Sequence, residues 1–211
     1  MRPLPRLHAV TDASVLALED FGVRAAAIAA VGPGVALHAR DRTAGGARMA
    51  DVVSRMLSLA RPPEASVFVN GRPDLASALR TQGVQLGTTD LSPRDARLVL
   101  GSEWSGWIGA SVHDLAEAER AAQEGADFLM AGPLYETASH PGRPAAGLWL
   151  IAQSGKFGLP VIAIGGITPE RAVEARKAGA YGVAVIRAAW YAQDPAVAAL
   201  ALLEPWAGEC K

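Results

Sequence analysis

The chain has 211 residues; half of them are hydrophobic, 19% are charged and the formal net charge is −1. This composition excludes an intrinsically disordered chain and gives no sign of a nucleic-acid partner or of a charged membrane surface as partner. Cys210 is the single cysteine, so no internal disulfide can form, and the first residues lack the long apolar core of a signal peptide. No apolar run approaches the ~20 residues that span a bilayer. We therefore expect a folded cytoplasmic protein with neither a membrane nor a nucleic acid as partner.

Short apolar runs alternate with helical segments along the whole chain. Several helices are predicted to begin at a capping residue, as at Asp12, or at a capping residue followed by proline, as at Ser92–Pro93 and Thr168–Pro169. The strands are predicted at 7–11, 35–39, 66–70, 83–86, 107–111, 127–131, 160–164 and 182–186, and the helices at 12–30, 46–60, 73–81, 92 onward, 114–124, 148–154, 169–178 and 195–203.

Eight such units predict the fold. The strands are continuous apolar runs rather than alternating ones, which is typical of parallel strands covered on both faces. Eight strand–helix units favour closure into a single (β/α)8 TIM barrel domain over residues 1–211. The alternative is an open doubly wound sheet, which would need a glycine-rich fingerprint after the first strand, where this chain has VTDAS.

The ends of the last two predicted strands indicate an anion site. Gly165 and Gly166 follow one strand directly, and the next strand ends at Val185 and Ile186. In barrels of this class these two strand ends often hold a phosphate on backbone amides and a helix N-terminus. The sequence therefore predicts a phosphate site at these four residues; the alternative is that the glycines only form a tight turn.

Polar side chains collect at the carboxyl ends of the other strands, where the active sites of barrels lie. Each has a structural alternative. His38 could be a buried histidine satisfied by a neighbour, and His113 or Asp90 could cap the helix that follows. The arginines could be solvated loop charges, and histidines from separate loops are a weak signal for a metal, so we expect none. The candidate substrate-contacting residues are His38, Arg40, Arg42, Asn70, Asp90, Ser111, His113, Thr137, Ser139 and His140.

These residue types predict an enzyme that acts on a small phosphorylated molecule. Histidine transfers protons near neutral pH, and paired arginines bind anions. No pattern indicates a covalent nucleophile.

Motifs spread over nearly the full length carry a family resemblance. They are LHAVTD, HARDR, VNGRPDLA, GVQLGTTDLSP, IGASVHDLAEA, GADFLMAGPLYET, VIAIGGITPE and GAYGVAVI, in that order. With these motifs the chain resembles the thiamine-phosphate synthase and thiazole tautomerase (TenI-type) family of small (β/α)8 barrels. The resemblance implies one of two activities. The synthase, a transferase, joins hydroxymethylpyrimidine diphosphate to thiazole phosphate with Mg²⁺ and releases pyrophosphate. The tautomerase, an isomerase, aromatises a thiazole carboxylate phosphate by moving a proton.

Departures from the synthase pattern favour the tautomerase. The pattern Gln-x-Arg-x-Lys is replaced by His38, Arg40 and Arg42, and the metal-binding aspartate after Asn70 is Gly71. Asp90 keeps the other metal position, but one carboxylate is a poor Mg²⁺ site. We therefore expect a tautomerase without a cofactor. A Mg²⁺-dependent synthase and a non-catalytic paralogue that binds thiazole or thiamine phosphate are the alternatives.

The resemblance also implies roles. His113 matches the histidine that carries the proton in the tautomerase, and Arg40 is expected to pair with an anionic group on the reacting portion of the substrate. A homo-oligomer is left open, since Trp104, Trp190 and Trp206 could form a subunit contact or pack inside the protein.

Overall fold

The computed structural model describes residues 3–62, 64–136 and 145–208. The strands are β1 (Leu7–Val10), β2 (Val35–Ala39), β3 (Ser66–Asn70), β4 (Gly83–Leu86), β5 (Trp107–Val112), β6 (Phe128–Ala131), β7 (Val161–Ile164) and β8 (Gly182–Val185). The helices are α1 (Ala13–Leu16), α2 (Phe21–Ala29), α3 (Gly46–Ala60), α4 (Pro73–Leu79), α5 (Pro93–Leu100), α6 (Leu115–Gln123), α7 (Trp149–Ser154), α8 (Pro169–Lys177), α9 (Arg187–Trp190) and α10 (Pro195–Leu203), with 3₁₀ turns at Gly155–Phe157 and Glu204–Trp206.

The strands form a closed barrel. Each strand pairs in parallel with the next, and β1 pairs with β8 through Leu7 opposite Val183. The predicted (β/α)8 fold is confirmed, and the open doubly wound sheet is wrong. Closure follows from the sequence pattern, because strands that are apolar on both faces bury one face under the helices and the other inside the barrel.

The barrel interior is filled with side chains of contrasting size. Phe68 and Phe128 lie inside with small neighbours. A Cβ on Gly83 would lie 1.5 Å from Phe68 Cε1, and one on Gly109 would lie 2.1 Å from Phe128 Cζ. The two glycines therefore make room for the two rings. At the level of Phe68 and Phe128 the barrel interior is filled with side chains and leaves no space for a ligand.

The predicted helix at 12–30 is in fact two helices. Asp12 caps the first through Val15 N, as expected, but the chain turns after α1 and starts again at Phe21. The break lets the Phe21 ring lie against Trp190, with ring centroids 5.5 Å apart. Nothing local in the sequence marks this turn, because the packing of Phe21 comes from residues 169 positions away.

The tryptophans resolve one alternative. Trp190 and Trp206 are fully buried, so they pack inside the protein, and Trp104 is partly buried against the hydrophobic core. Trp149 is the exposed one. In the described part of the chain, we find no helix both long and apolar enough to cross a bilayer.

Candidate active site

A cleft of about 680 Å³ opens at the carboxyl ends of the strands. The end of every strand contributes to its wall, from Val10, the last residue of β1, to Ile186 after β8. This is the end at which barrels carry their active sites. The predicted residues that line it are Arg40, Arg42, Asn70, Asp90, Ser111, His113, Gly165 and Ile186.

Other predicted residues are placed differently. His38 is fully buried in the barrel interior and does not line the cleft, which corrects the expectation of direct substrate contact. Its side chain points inward because it alternates with the outward-facing Leu37 and Ala39 along β2. Gly166 and Val185 also lie outside the cleft wall. Thr137, Ser139 and His140 fall outside the described residues.

Two arginines form the positive side of the cleft. The backbone of Arg40 is fixed by Thr11, whose Oγ1 accepts from Arg40 N at 2.9 Å. Burial, followed by the charge of Arg42, lowers the pKa of Arg40, although a guanidinium stays protonated at neutral pH. Among the described residues, no carboxylate forms an ion pair with Arg40 or Arg42. The pair is therefore available to an anionic ligand, unlike Arg72, which is bound to Asp74 at 2.6 Å.

The carboxylates of the cleft do not form a metal site. Asp90 Oδ2 accepts from Gly87 N at 2.7 Å, so this carboxylate is bound to its own loop. The position that would supply a second carboxylate is Gly71, at φ +68°, and a Cβ there would lie 3.1 Å from Asp90 Oδ2. Asp41 is bound to Thr43. Mg²⁺ in phosphate-handling sites is held by carboxylates and phosphate oxygens. Residues 3–62, 64–136 and 145–208 contain no cluster of three or more metal-binding side chains, and the two aspartates that line the cleft, Asp41 and Asp90, are each bonded within their own loop.

His113 is held in one orientation. Glu117 Oε2 lies 2.8 Å from His113 Nδ1 and also accepts from His113 N at 2.8 Å. A carboxylate only accepts, so Nδ1 carries the hydrogen and Nε2 is the basic nitrogen. The side chain is 24% exposed and lines the cleft. Capping of α6 is done by Asp114 instead, and capping of α5 by Ser92, so the capping alternatives for His113 and Asp90 are wrong.

The end of the cleft next to β7 and β8 offers backbone donors. Gly165 and Gly166 both have positive φ, +98° and +70°, and a Cβ on Gly165 would lie 2.6 Å from Pro133 Cα. Within the described chain, no residue accepts a hydrogen bond from the N–H groups of Gly165, Gly166 or Ile186. Unpaired main-chain N–H groups of this kind attract anions.

Several residues of the site were not predicted. Gln85 lies in the buried face of β4 and donates from Nε2 to Ser111 Oγ at 3.0 Å. The sequence could have indicated Gln85 as a site residue, because it is the polar residue in the short apolar strand GVQL. Glu117 could have been found from its helical spacing of four residues from His113.

Comparison with known proteins decides the family. A family model described as "Thiamine monophosphate synthase" (TMP-TENI) matches residues 7–189, which is most of the chain. The chain belongs to this family. The predicted family is therefore confirmed.

Individual members of the family are similar over much of the chain. A thiamine-phosphate synthase from Thermus thermophilus is 44% identical over 154 residues, covering 71% of this chain and 72% of the relative. One from Salinispora tropica is 38% identical over 213 residues, covering 97% and 98%. The solved thiamine phosphate pyrophosphorylase of Pyrococcus furiosus has a TM-score of 0.79 at 32% identity, covering 95% and 94%. A 3-hexulose-6-phosphate synthase, with a TM-score of 0.70 at 16% identity over 96% of this chain and 99% of that one, shares the fold alone.

These family relatives are named for the transferase activity, which agrees with the alternative expectation better than with the tautomerase. The cleft wall contains Arg40, Asn70 and Asp90, which agree with the synthase pattern given above, and Gly71, which departs from it. The comparisons thus establish the family, and which reaction the chain catalyses depends on particular residues.

Proposed function

We propose that this chain acts on a phosphorylated thiazole in thiamine biosynthesis, and that its reaction is the proton transfer of a thiazole tautomerase. The observation that carries this proposal is the combination of an oriented histidine with two arginines that form no ion pair with a described carboxylate. They lie in a cleft where Gly71 stands at the position of a metal-binding aspartate in the synthase pattern. A proton transfer needs a base and an anion site but no metal.

In this proposal the substrate phosphate binds the main-chain N–H groups of Gly165 and Ile186, which line the cleft. Arg40 pairs with the carboxylate of the thiazole. These contacts fix the ring against His113, so that one imidazole reaches both the ring carbon that loses a proton and the exocyclic carbon that gains it.

The reaction moves one proton from a ring carbon to the exocyclic carbon. Nε2 of His113 takes the ring proton, and the electron pair of the broken C–H bond moves into the ring. The exocyclic double bond then takes the proton back from Nε2, and the ring becomes aromatic. Glu117 stabilises the intermediate imidazolium through Nδ1–H, at 2.8 Å.

The second candidate is the synthase. It is favoured by the names of relatives that are 34–44% identical to this chain, and by Asn70 and Asp90 in the cleft wall. It would require the described residues to hold a Mg²⁺–diphosphate pair with one carboxylate, which is the weaker chemical fit.

One pair of assays separates the candidates. The purified chain is incubated with the thiazole carboxylate phosphate tautomer, and aromatisation is followed by proton NMR. In parallel it is incubated with hydroxymethylpyrimidine diphosphate, thiazole phosphate and Mg²⁺, and pyrophosphate release is measured. We expect aromatisation without pyrophosphate release. Pyrophosphate release alone would establish the synthase, and thiazole phosphate binding without either reaction would establish a binding paralogue.

A further inference from the structure

Three polar side chains, those of His8, His38 and Asn70, form a line from the packed interior of the barrel to the cleft. His8 Nε2 lies 3.0 Å from the carbonyl oxygen of Pro5, and His8 Nδ1 lies 2.8 Å from His38 Nε2. His38 Nδ1 lies 3.1 Å from the side-chain amide of Asn70. Both imidazoles are fully buried, whereas Asn70 is half-buried and lines the cleft. None of the steps proposed above uses the two histidines.

The carbonyl of Pro5 determines where each hydrogen lies. A carbonyl oxygen only accepts, so His8 Nε2 must carry a hydrogen. A neutral His8 then has a bare Nδ1, which can only accept, and the facing Nε2 of His38 must therefore carry a hydrogen. A neutral His38 in turn has a bare Nδ1 toward Asn70.

Burial keeps both rings neutral. Desolvation lowers the pKa of His38 to about 4, and desolvation followed by the neighbouring imidazole lowers the pKa of His8 well below its ordinary value. The rings around them are apolar: Phe68 stacks on His8 with a centroid distance of 5.4 Å, and Phe128 lies 5.5 Å away. No described carboxylate contacts either imidazole.

The bare Nδ1 of His38 therefore determines the orientation of the Asn70 side-chain amide. The amide atom placed against His38 Nδ1 is Oδ1, and two acceptors cannot form a hydrogen bond. Amide nitrogen and oxygen are nearly the same size, and a half-turn of the amide exchanges them without moving any neighbour. After that half-turn Nδ2 donates to His38 Nδ1. No described residue hydrogen-bonds the other end of the amide.

We propose that the Pro5 carbonyl, acting through His8 and His38, orients Asn70 so that its amide oxygen faces the cleft and accepts a hydrogen bond from the ligand. Asn70 is then a specificity-determining residue, and the two histidines are positioning residues. The subsite prefers a ligand group that carries hydrogen, such as an amino, hydroxyl or ring N–H group. This inference concerns the cleft and not the reaction, so it does not depend on the proposed function.

NMR on the ¹⁵N-labelled chain tests the hydrogen positions directly, without any substrate. Two N–H···N hydrogen bonds are expected, and each gives a coupling between its nitrogens across the bond: His38 Nε2 with His8 Nδ1, and Asn70 Nδ2 with His38 Nδ1. Absence of the Asn70–His38 coupling, or a hydrogen on His38 Nδ1 at pH 7, would overturn the proposal.

A matched pair of variants separates orientation from packing. His8→Gln keeps both bonds, because its amide can donate to Pro5 and accept from His38. His8→Phe keeps an aromatic ring beside Phe68 but removes the acceptor. We expect the Asn70–His38 coupling to persist in His8→Gln. In His8→Phe we expect the hydrogen of His38 to move to Nδ1 and the coupling to vanish. An unchanged His38 in His8→Phe would contradict the proposal, and if that variant does not fold, the wild-type and His8→Gln couplings still decide.

Ligand preference is measured with 2-aminothiazole and 2-methylthiazole, two rings of nearly equal size. Titrations followed at the Asn70 amide are expected to show several-fold tighter binding of the amino compound to wild type and to His8→Gln. This preference should disappear in His8→Phe. Equal affinities in wild type would show that the oxygen does not face the ligand.

Discussion

The barrel holds histidines in two contrasting settings. His8 and His38 lie within β1 and β2, fully buried among phenylalanine rings. His113 lies one residue beyond β5, is partly exposed and is bonded to Glu117. The same side chain is thus kept neutral by burial in one place and faces the cleft in the other.

Position along a strand accounts for this difference. A mid-strand residue that points into the barrel loses all its water, and the charged form of an imidazole is then strongly disfavoured. A residue just past the strand end meets the cleft and the first turn of the next helix, where a carboxylate four residues on can orient it. The buried pair contacts protein groups, whereas His113 faces the cleft, where the proposed function requires a base.

The largest expected effect is the loss of the base. His113→Ala should decrease kcat for the thiazole carboxylate phosphate by about 10²–10⁴-fold, the usual contribution of general acid–base catalysis. Binding should survive, because the phosphate and carboxylate contacts lie elsewhere. Single-turnover kinetics and calorimetry with thiazole phosphate would measure the two quantities separately. Normal turnover by His113→Ala would show that another group is the base.

The sequence predicts features that neighbouring residues determine, but not features that depend on contacts between residues far apart in the chain. The strands were predictable because each apolar run carries its own signal, and β2, β3 and β4 begin and end at the predicted residues. His113 was identified because it follows a strand. His38 was misplaced because a sequence shows that a histidine lies near a strand end but not which way its side chain points relative to His8, 30 residues earlier.

The buried pair should make stability depend on pH. In the unfolded chain a histidine binds a proton near pH 6.5, whereas His38 in the folded chain does so only near pH 4. The unfolded state therefore binds more protons between these values, and the free energy of unfolding decreases as the pH falls from 6.5 to 4. For His38 alone the decrease is on the order of 3 kcal/mol, and His8 acts in the same direction.

Urea unfolding at pH 7, 5.5 and 4.5 would measure this dependence. His8→Gln removes one of the two titrating groups and should flatten the curve. A free energy of unfolding that is constant over this range would show that the pair is not held neutral in the folded chain.

A smaller effect is expected at the positive side of the cleft. Arg40→Gln should lower kcat/KM by about 10- to 100-fold, since a hydrogen bond to a charged group contributes ~1.5–3 kcal/mol. Arg72→Gln is the matched control, because Arg72 lines the same cleft but is bound to Asp74. Steady-state kinetics of the two variants should differ clearly. Equal losses would mean that the cleft attracts its ligand by overall charge and not through Arg40.

The smallest effect, and the one most specific to His113, is expected at Glu117. Its Oε2 accepts from two donors, the backbone N–H and the ring Nδ1–H of His113. In Glu117→Gln both donors still require an oxygen there, so the amide oxygen takes that place and the hydrogen stays on Nδ1. Only the charge is lost, and we expect kcat to fall roughly tenfold, or ~1.4 kcal/mol, with unchanged affinity for thiazole phosphate. Glu117→Ala removes the orientation as well and should decrease kcat further, toward the value of His113→Ala. If both variants keep the wild-type kcat while His113→Ala does not, the imidazole works without its carboxylate, and the contrast between the two histidine settings rests on solvent exposure alone.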